Sequence, residues 1–212
     1  GMVFYEKESR CSVFIPKLLG SFEKELKKVI NKSKKKKYTS VVNIGCAEGY
    51  YAVGFARLLN NTRIFAFDSD KRSRYLCKQM SKKNNVSVDI GSYCDRQKLI
   101  SLPLGSKALI FMDCEGYENV LVDKKLAKQF LNHDFLIESH DIYQISTTKN
   151  LLKAFSSTHE ITIISSVDDI EKAYQYKIPQ LKGFSLEEKF ICLTEDRGCI
   201  MKWIYAESKV KI

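Results

Sequence analysis

Gly45 and Gly49 enclose the stretch Gly-Cys-Ala-Glu-Gly at the end of an apolar run, and an acid, Asp68, closes the next apolar run 23 residues after Gly45. Glycine lets backbone approach a ligand closely. A carboxylate ending the neighbouring strand is placed to accept hydrogen bonds from two ribose hydroxyls. Together they suit a nucleoside without a pyrophosphate. A dinucleotide site would read Gly-x-Gly-x-x-Gly; here Ala47 stands at the central glycine, which disfavours a nicotinamide oxidoreductase. Later apolar runs also end in polar groups: Ser92 and Tyr93 in GSYCD, Asp113 in DCEGYE, and Glu138, His140 and Asp141 in ESHD. Asp113, Glu115, Glu138, His140 and Asp141 are candidate bases for taking a proton from a hydroxyl. Of these, His140 alone has an unperturbed pKa close to neutral; its other reading is a hydrogen bond to a loop carbonyl. Asp113, Glu138, His140 and Asp141 could also converge on a cation, since 138 and 140 share one side of a strand. The mixture of carboxylates and imidazole does not require a metal, and none is assigned. Glu115 and Glu118 have a simpler reading as acids favoured by the N-terminus of a helix beginning near Tyr117.

These groups gather because of the elements that carry them. Strand-like runs occupy 40–45, 63–68, 86–91, 107–113, 134–140 and 160–166, and several are almost continuously apolar, as strands covered on both faces are. Helical patterns fill the gaps at 49–60, 70–84, 92–101, 117–131 and 146–158, with a further helix at 185–196 and a last strand at 200–206. The alternation predicts an α/β fold, a doubly wound, mostly parallel seven-stranded sheet with the last strand antiparallel. Ligands of such sheets bind outside the carboxyl ends of the strands, where the polar residues fall. Before residue 40, Leu18, Leu19, Phe22, Leu26, Val29 and Ile30 recur at helical spacing after Pro16. The organisation expected is a basic helical segment, 1–39, followed by a ligand-binding domain, 40–212.

VVNIGCAEGYYAVGFA, DCEGYENVL and LIESHD, in this order and on these strand ends, resemble the class I S-adenosylmethionine-dependent methyltransferases, and most the FkbM-type group. The resemblance covers about residues 40–206. It implies a Rossmann-like methyltransferase fold with S-adenosylmethionine as cofactor. Gly45 and Gly49 would border its methionine part, with Glu48 near the ammonium. Asp68 would take the ribose hydroxyls, and Ser92 and Tyr93 would lie beside the adenine. Asp113 would face the methionine end and the reaction centre, with Glu138 and His140 as further catalytic candidates. The chain departs from the group at Asn43, where an acid is usual; an amide can accept a hydrogen bond but carries no charge. The group points to O-methylation of a hydroxyl on a small metabolite such as a sugar or polyketide. DCEGY lacks the Pro-Pro-aromatic motif of enzymes that methylate exocyclic amines. Asp113 and Glu115 would raise the thiol pKa of Cys114, against a cysteine nucleophile.

Composition narrows the classes further. With 212 residues the chain suits one well-buried domain. No apolar stretch approaches a membrane span, no secretory leader pattern precedes the domain, and Gly1 before Met2 reads as an expression scar. Seven cysteines without a Cys-x-x-Cys pair read as reduced thiols, so a cytoplasmic location is expected. The net charge is +10, of which residues 1–40 contribute +7 from eleven Lys/Arg and four Glu. The lysines of residues 32–37 read first as a solvated helix end. They keep RNA or another anionic macromolecule as a second substrate class. A module that binds the nucleoside without catalysis is a further reading, prompted by Asn43. Arg197 reads as a surface residue and Trp203 as core.

Overall fold

The computed structural model describes residues 1–5 and 7–210. Among these, seven strands form one sheet in the order β3-β2-β1-β4-β5-β7-β6: β1 (Ser40–Ile44), β2 (Arg63–Phe67), β3 (Asp89–Gly91), β4 (Ala108–Met112), β5 (Asp134–Ser139), β6 (His159–Ser165) and β7 (Lys202–Ser208). The pairs from β3 across to β5 are parallel, and β7 runs antiparallel between β5 and β6. The doubly wound, mostly parallel seven-stranded sheet with an antiparallel last strand is therefore present. Ten helices of the described residues pack around the sheet: α1 (Phe14–Leu19), α2 (Lys27–Ser33), α3 (Tyr50–Leu58), α4 (Lys71–Lys83), α5 (Arg96–Ser101), α6 (Glu118–Leu121), α7 (Lys124–Gln129), α8 (Thr147–Phe155), α9 (Asp169–Gln175) and α10 (Leu186–Leu193).

Period-two alternation divides the core between two faces. Val42, Ile44, Ile110, Met112, Phe135 and Ile137 pack on one side, with Leu151 and Phe155 of α8. Val41, Leu109, Phe111, Leu136 and Trp203 pack on the other, with Phe55 of α3. Every residue of β1, β4 and β5 is buried. That explains their nearly continuous apolar runs. Trp203 is fully buried, as its alternation in the last strand indicates.

Four elements differ from the sequence reading. The amino-terminal periodicity does not make one helix. Gly20 turns left-handed at φ 70, the amides of Ser21 and Phe22 fold back onto the Pro16 carbonyl, and a short 3₁₀ turn at Lys24–Leu26 precedes α2. The 117–131 helix breaks where Val122 becomes extended (φ −107, ψ 119); Asp123 then caps α7, accepting from the Leu126 amide at 2.8 Å. β3 shrinks to three residues because only Phe65, Ala66 and Phe67 of β2 pair with it. Between β6 and α10 lies an additional helix, α9, capped by Asp168. No helix among the described residues is long and apolar enough to cross a membrane.

Candidate functional site

A cleft of about 470 Å³ opens over the carboxyl ends of β1, β2, β4 and β5, at the point where the strand order reverses. The turn after β1 forms its floor. Gly45 takes φ 78, and a Cβ there would come within 1.6 Å of the Asp113 carbonyl oxygen; no other residue fits. Gly49 lies close to Cys77, whose Sγ would be 2.9 Å from a Cβ. Between them the Ala47 amide donates to Asp68 Oδ2 at 2.8 Å, while Asp68 Oδ1 accepts from the Asp70 amide at 2.9 Å. The carboxylate that follows β2 is thus fixed in orientation. Each oxygen keeps a second lone pair for a ligand. Ser92 and Tyr93 line the same cleft after β3, with the Tyr93 ring 5.4 Å from that of Tyr117.

Asn43 is 1% exposed, and neither its amide nitrogen nor its oxygen has a partner among the described residues. Buried polar groups are normally paired, so this amide, two residues before the glycine turn, is an exception in the core; unlike Gly45 and Ala47 it does not line the cleft. Glu48, expected beside the cofactor's ammonium, already has partners in the protein. It forms a buried ion pair with Lys17 and accepts from the Arg10 amide at 3.0 Å. Tyr51 packs on Phe111 with ring centroids 4.2 Å apart, and Tyr50 lines the cleft.

The far side of the cleft is acidic. Asp113 follows β4, and its amide donates to the Ile44 carbonyl at 3.0 Å. Burial, then the Glu23 carboxylate, push its pKa up to about 7. Glu138, near the end of β5, is pushed up to about 8 by burial and then by Asp113. Glu23 reaches about 8 through burial and the Glu138 charge. Arg197, read from sequence as a surface residue, is instead largely buried among carboxylates. Its guanidinium donates to Glu195 at 3.0 Å, to Glu23 at 2.5 Å and to Glu138. The charges of Glu138, Glu23 and Glu195 outweigh the effect of burial and raise its pKa. Neither Arg197 nor Glu23 could be found from spacing, because they lie 174 residues apart.

His140 has a carboxylate partner, not a loop carbonyl. Its Nδ1 lies 2.9 Å from Glu118 Oε1, and its Nε2 faces Asp113, Glu115 and Glu138 at 3.5–3.6 Å. Burial lowers the imidazole pKa, but the Glu118 hydrogen bond and the surrounding charges outweigh it, so the net shift is upward. Glu118 does more than its place at a helix N-terminus suggests. It accepts from the Cys114 and Gly116 amides, at 3.2 and 3.4 Å, and it also orients the imidazole. A base held by a carboxylate and facing a cleft is an arrangement suited to moving a proton. Asp141 turns away from the cleft. It accepts from the amide and hydroxyl of Thr148 at 2.8 and 2.6 Å and so ties down α8. The Cys114 thiol is pushed well up by burial and then by Glu118, which makes it a poor nucleophile. Donor atoms of Asp113, Glu115 and His140 lie within 4.8 Å of one another; this set suits a transition cation better than Mg²⁺.

Backbone strain gathers at the same place. Seven described non-glycine residues have positive φ, and two of them, Asn61 and Asn85, are asparagines, which tolerate it. The other five, Cys11, Glu23, Ala47, Glu115 and Asp196 (φ 47–55), all line the cleft. Such conformations cluster at functional sites. Cys11 and Glu23 belong to the amino-terminal segment, which folds over the cleft through the Lys17–Glu48 and Glu23–Arg197 pairs.

No family model matches the sequence, and no characterised protein matches it. Solved structures do share the fold. An O-methyltransferase from Bacillus cereus in complex with S-adenosylhomocysteine superposes with a TM-score of 0.59 at 10% identity, over 92% of this chain and 89% of that one. A precorrin-6y C5,15-methyltransferase from Geobacter metallireducens gives 0.59 at 12% identity, over 87% and 88%. An O-methyltransferase, described as putative, from Klebsiella pneumoniae gives 0.57 at 11% identity, over 88% and 80%.

Proposed function

We propose that this protein transfers a methyl group from S-adenosylmethionine to a hydroxyl of a small acceptor. The observation that carries the reading is the cleft at the strand-order reversal, where a glycine turn without room for a Cβ and the fixed Asp68 carboxylate meet a cluster of proton acceptors. The fold shared with methyltransferases and the FkbM-like motifs both support it.

The residues present fit the cofactor. Asp68 would accept from the ribose hydroxyls with its free lone pairs. Ser92 and Tyr93 would flank the adenine, and Gly45 and Gly49 would border the amino-acid tail. When bound, the cofactor supplies an electrophilic methyl carbon. The protein's share is to align the acceptor oxygen with that carbon, exclude water and take up the proton. Alignment of this kind is worth about 7–11 kcal/mol in favourable cases. Glu118 orients the His140 ring so that Nε2 is the atom offered to the cleft. Asp113 and Glu138, raised toward neutrality, extend the proton-accepting surface.

The lysine run of residues 32–37 weighs against an RNA substrate reaching this cleft. Lys36 pairs with Asp134, the first residue of β5, and Lys32 with Glu207 near the end of β7, so the run lies at the opposite end of the sheet. Calorimetry with S-adenosylhomocysteine and NAD tests the cofactor assignment; preferential binding of NAD defeats it. A labelled-methyl assay across hydroxyl metabolites and total RNA tests the acceptor class. His140→Ala should lower turnover by about 10²–10⁴ while leaving cofactor affinity unchanged, the range of a lost general base. Retained turnover would make His140 structural.

A further inference from the structure

Lys17 is a cation in an unusual place. It is 5% exposed, yet it lines the cleft beside Gly45, Ala47 and Tyr50. Its ammonium reaches Glu48 and, at 2.6 Å, Ser12 Oγ, and lies 4.9 and 5.3 Å from the ring centroids of Phe22 and Tyr50. An ammonium carries three donors, and among the described residues only these two acceptors take a hydrogen bond from it. Its neighbours in the cleft are differently engaged. Arg197 gives one hydrogen bond from each of its three nitrogens to Glu195, Glu138 and Glu23. Arg10 is drawn to Asp70 at 3.4 Å, at the ribose end.

The charge balance of the cleft sharpens the point. Eight carboxylates line it against three cations, so an anionic ligand group entering it needs a dedicated partner. Lys17 pairs with a residue of the glycine turn itself, Glu48, which places it at the end of the cleft that the amino-acid tail would occupy. We propose that Lys17 receives the α-carboxylate of the cofactor's amino-acid tail, so that the amino-terminal segment reads the methionine end of the ligand. This rests on the methyltransferase reading and goes beyond it, since it makes a residue outside the sheet's own loops the specificity determinant for that tail. The strained backbone of Cys11 and Glu23, on either side of Lys17, is the conformation that brings the segment over the cleft.

Four ligands test this by calorimetry: S-adenosylmethionine against its decarboxylated form, and S-adenosylhomocysteine against methylthioadenosine, which lacks the tail. The wild-type protein should bind decarboxylated S-adenosylmethionine about tenfold or more weakly, the scale of one charge-assisted hydrogen bond. The acid excess of the cleft favours the extra positive charge of the decarboxylated ligand, so weaker binding can only report the lost carboxylate contact. Lys17→Met combined with Glu48→Gln, which leaves no buried charge unpaired, should remove the discrimination between S-adenosylmethionine and its decarboxylated form, reduce that between S-adenosylhomocysteine and methylthioadenosine, and leave methylthioadenosine affinity within about twofold. Glu48→Gln alone should keep it. Equal wild-type affinity for S-adenosylmethionine and its decarboxylated form overturns the proposal, as does undiminished discrimination between those two ligands in the double variant. If the double variant does not fold, the wild-type comparison decides alone. If none of the four ligands binds, the methyltransferase reading falls instead.

Discussion

The two ends of the sheet are built on opposite terms. At the amino end, Asp134 is fully buried and satisfied: it accepts from Lys36 and Tyr38 at 2.5 Å each and from the Ser208 amide at 2.9 Å. Burial would raise its pKa, but these donors hold it below the ordinary carboxylate range. At the carboxyl end, Asp113, Glu138 and Glu23 are all pushed upward, Asn43 has no partner among the described residues, and five residues hold left-handed backbone. One end secures the fold; the other keeps groups in states that the fold alone would not favour. That contrast locates function without reference to any ligand.

It can be broken by substitution. Asp134→Ala should have the largest effect, about 3–5 kcal/mol of stability in urea unfolding, the cost of removing one partner from a buried ion pair. Affinity of the folded protein for S-adenosylhomocysteine should not change. If affinity falls in parallel, the two ends are not independent. Asp68→Ala should do the reverse, weakening S-adenosylhomocysteine binding by about 1–3 kcal/mol. Methylthioadenosine should weaken equally, because the ribose is common to both. Unchanged binding in a folded protein would remove the ribose assignment.

The pH dependence of stability separates the ends again. Asp113, Glu138 and Glu23 bind protons more tightly folded than unfolded, and so does His140. The folded state therefore holds more protons than the unfolded one, and stability must fall as pH rises through their folded values. Between about pH 6 and pH 8.5 the ligand-free protein should lose a few kcal/mol, since folded values of about 7, 8 and 8 span one to two pKa units of that window and each unit is about 1.4 kcal/mol. Asp134, shifted downward, contributes nothing in that window; its stabilisation is lost only on acidification. A stability that rises from pH 6 to 8.5 would contradict the carboxylate assignments. The smallest effect belongs to the lysine run. Replacing the exposed Lys34, Lys35 and Lys37 with Gln should shift stability by no more than about 0.5 kcal/mol and leave transfer to a small hydroxyl acceptor untouched. Loss of that transfer would reopen the macromolecular reading.

What can be read from the sequence follows from the range of the interactions involved. The strands are visible because β1, β4 and β5 are buried on both faces and leave nearly continuous apolar runs. The glycine turn and Asp68 are visible because short-range geometry demands those residue types at those places. The roof is hidden. Lys17 meets Glu48 across 31 positions, and Arg197 meets Glu23 across 174; no local period records such pairings. Glu118 is obscured for a related reason. A helix N-terminus accounts for an acid there by itself, and the imidazole it orients lies 22 residues away. The break at Val122, by contrast, has a local signal in Asp123, a helix-capping residue two positions after Leu121.

The placement of the two chain ends bears on how the protein should be handled. The amino-terminal segment runs past α3, where Arg57 donates to the Gly1 carbonyl at 2.9 Å, and on across the ligand doorway. β7 instead delivers Ser208 beside Asp134, on the far side of the molecule. Gly1 itself lies against the last turn of α3 and lines none of the cleft, so a handle or tether ahead of it, like one following β7, would leave the entrance clear. Immobilised binding measurements should therefore tolerate a tether on either side.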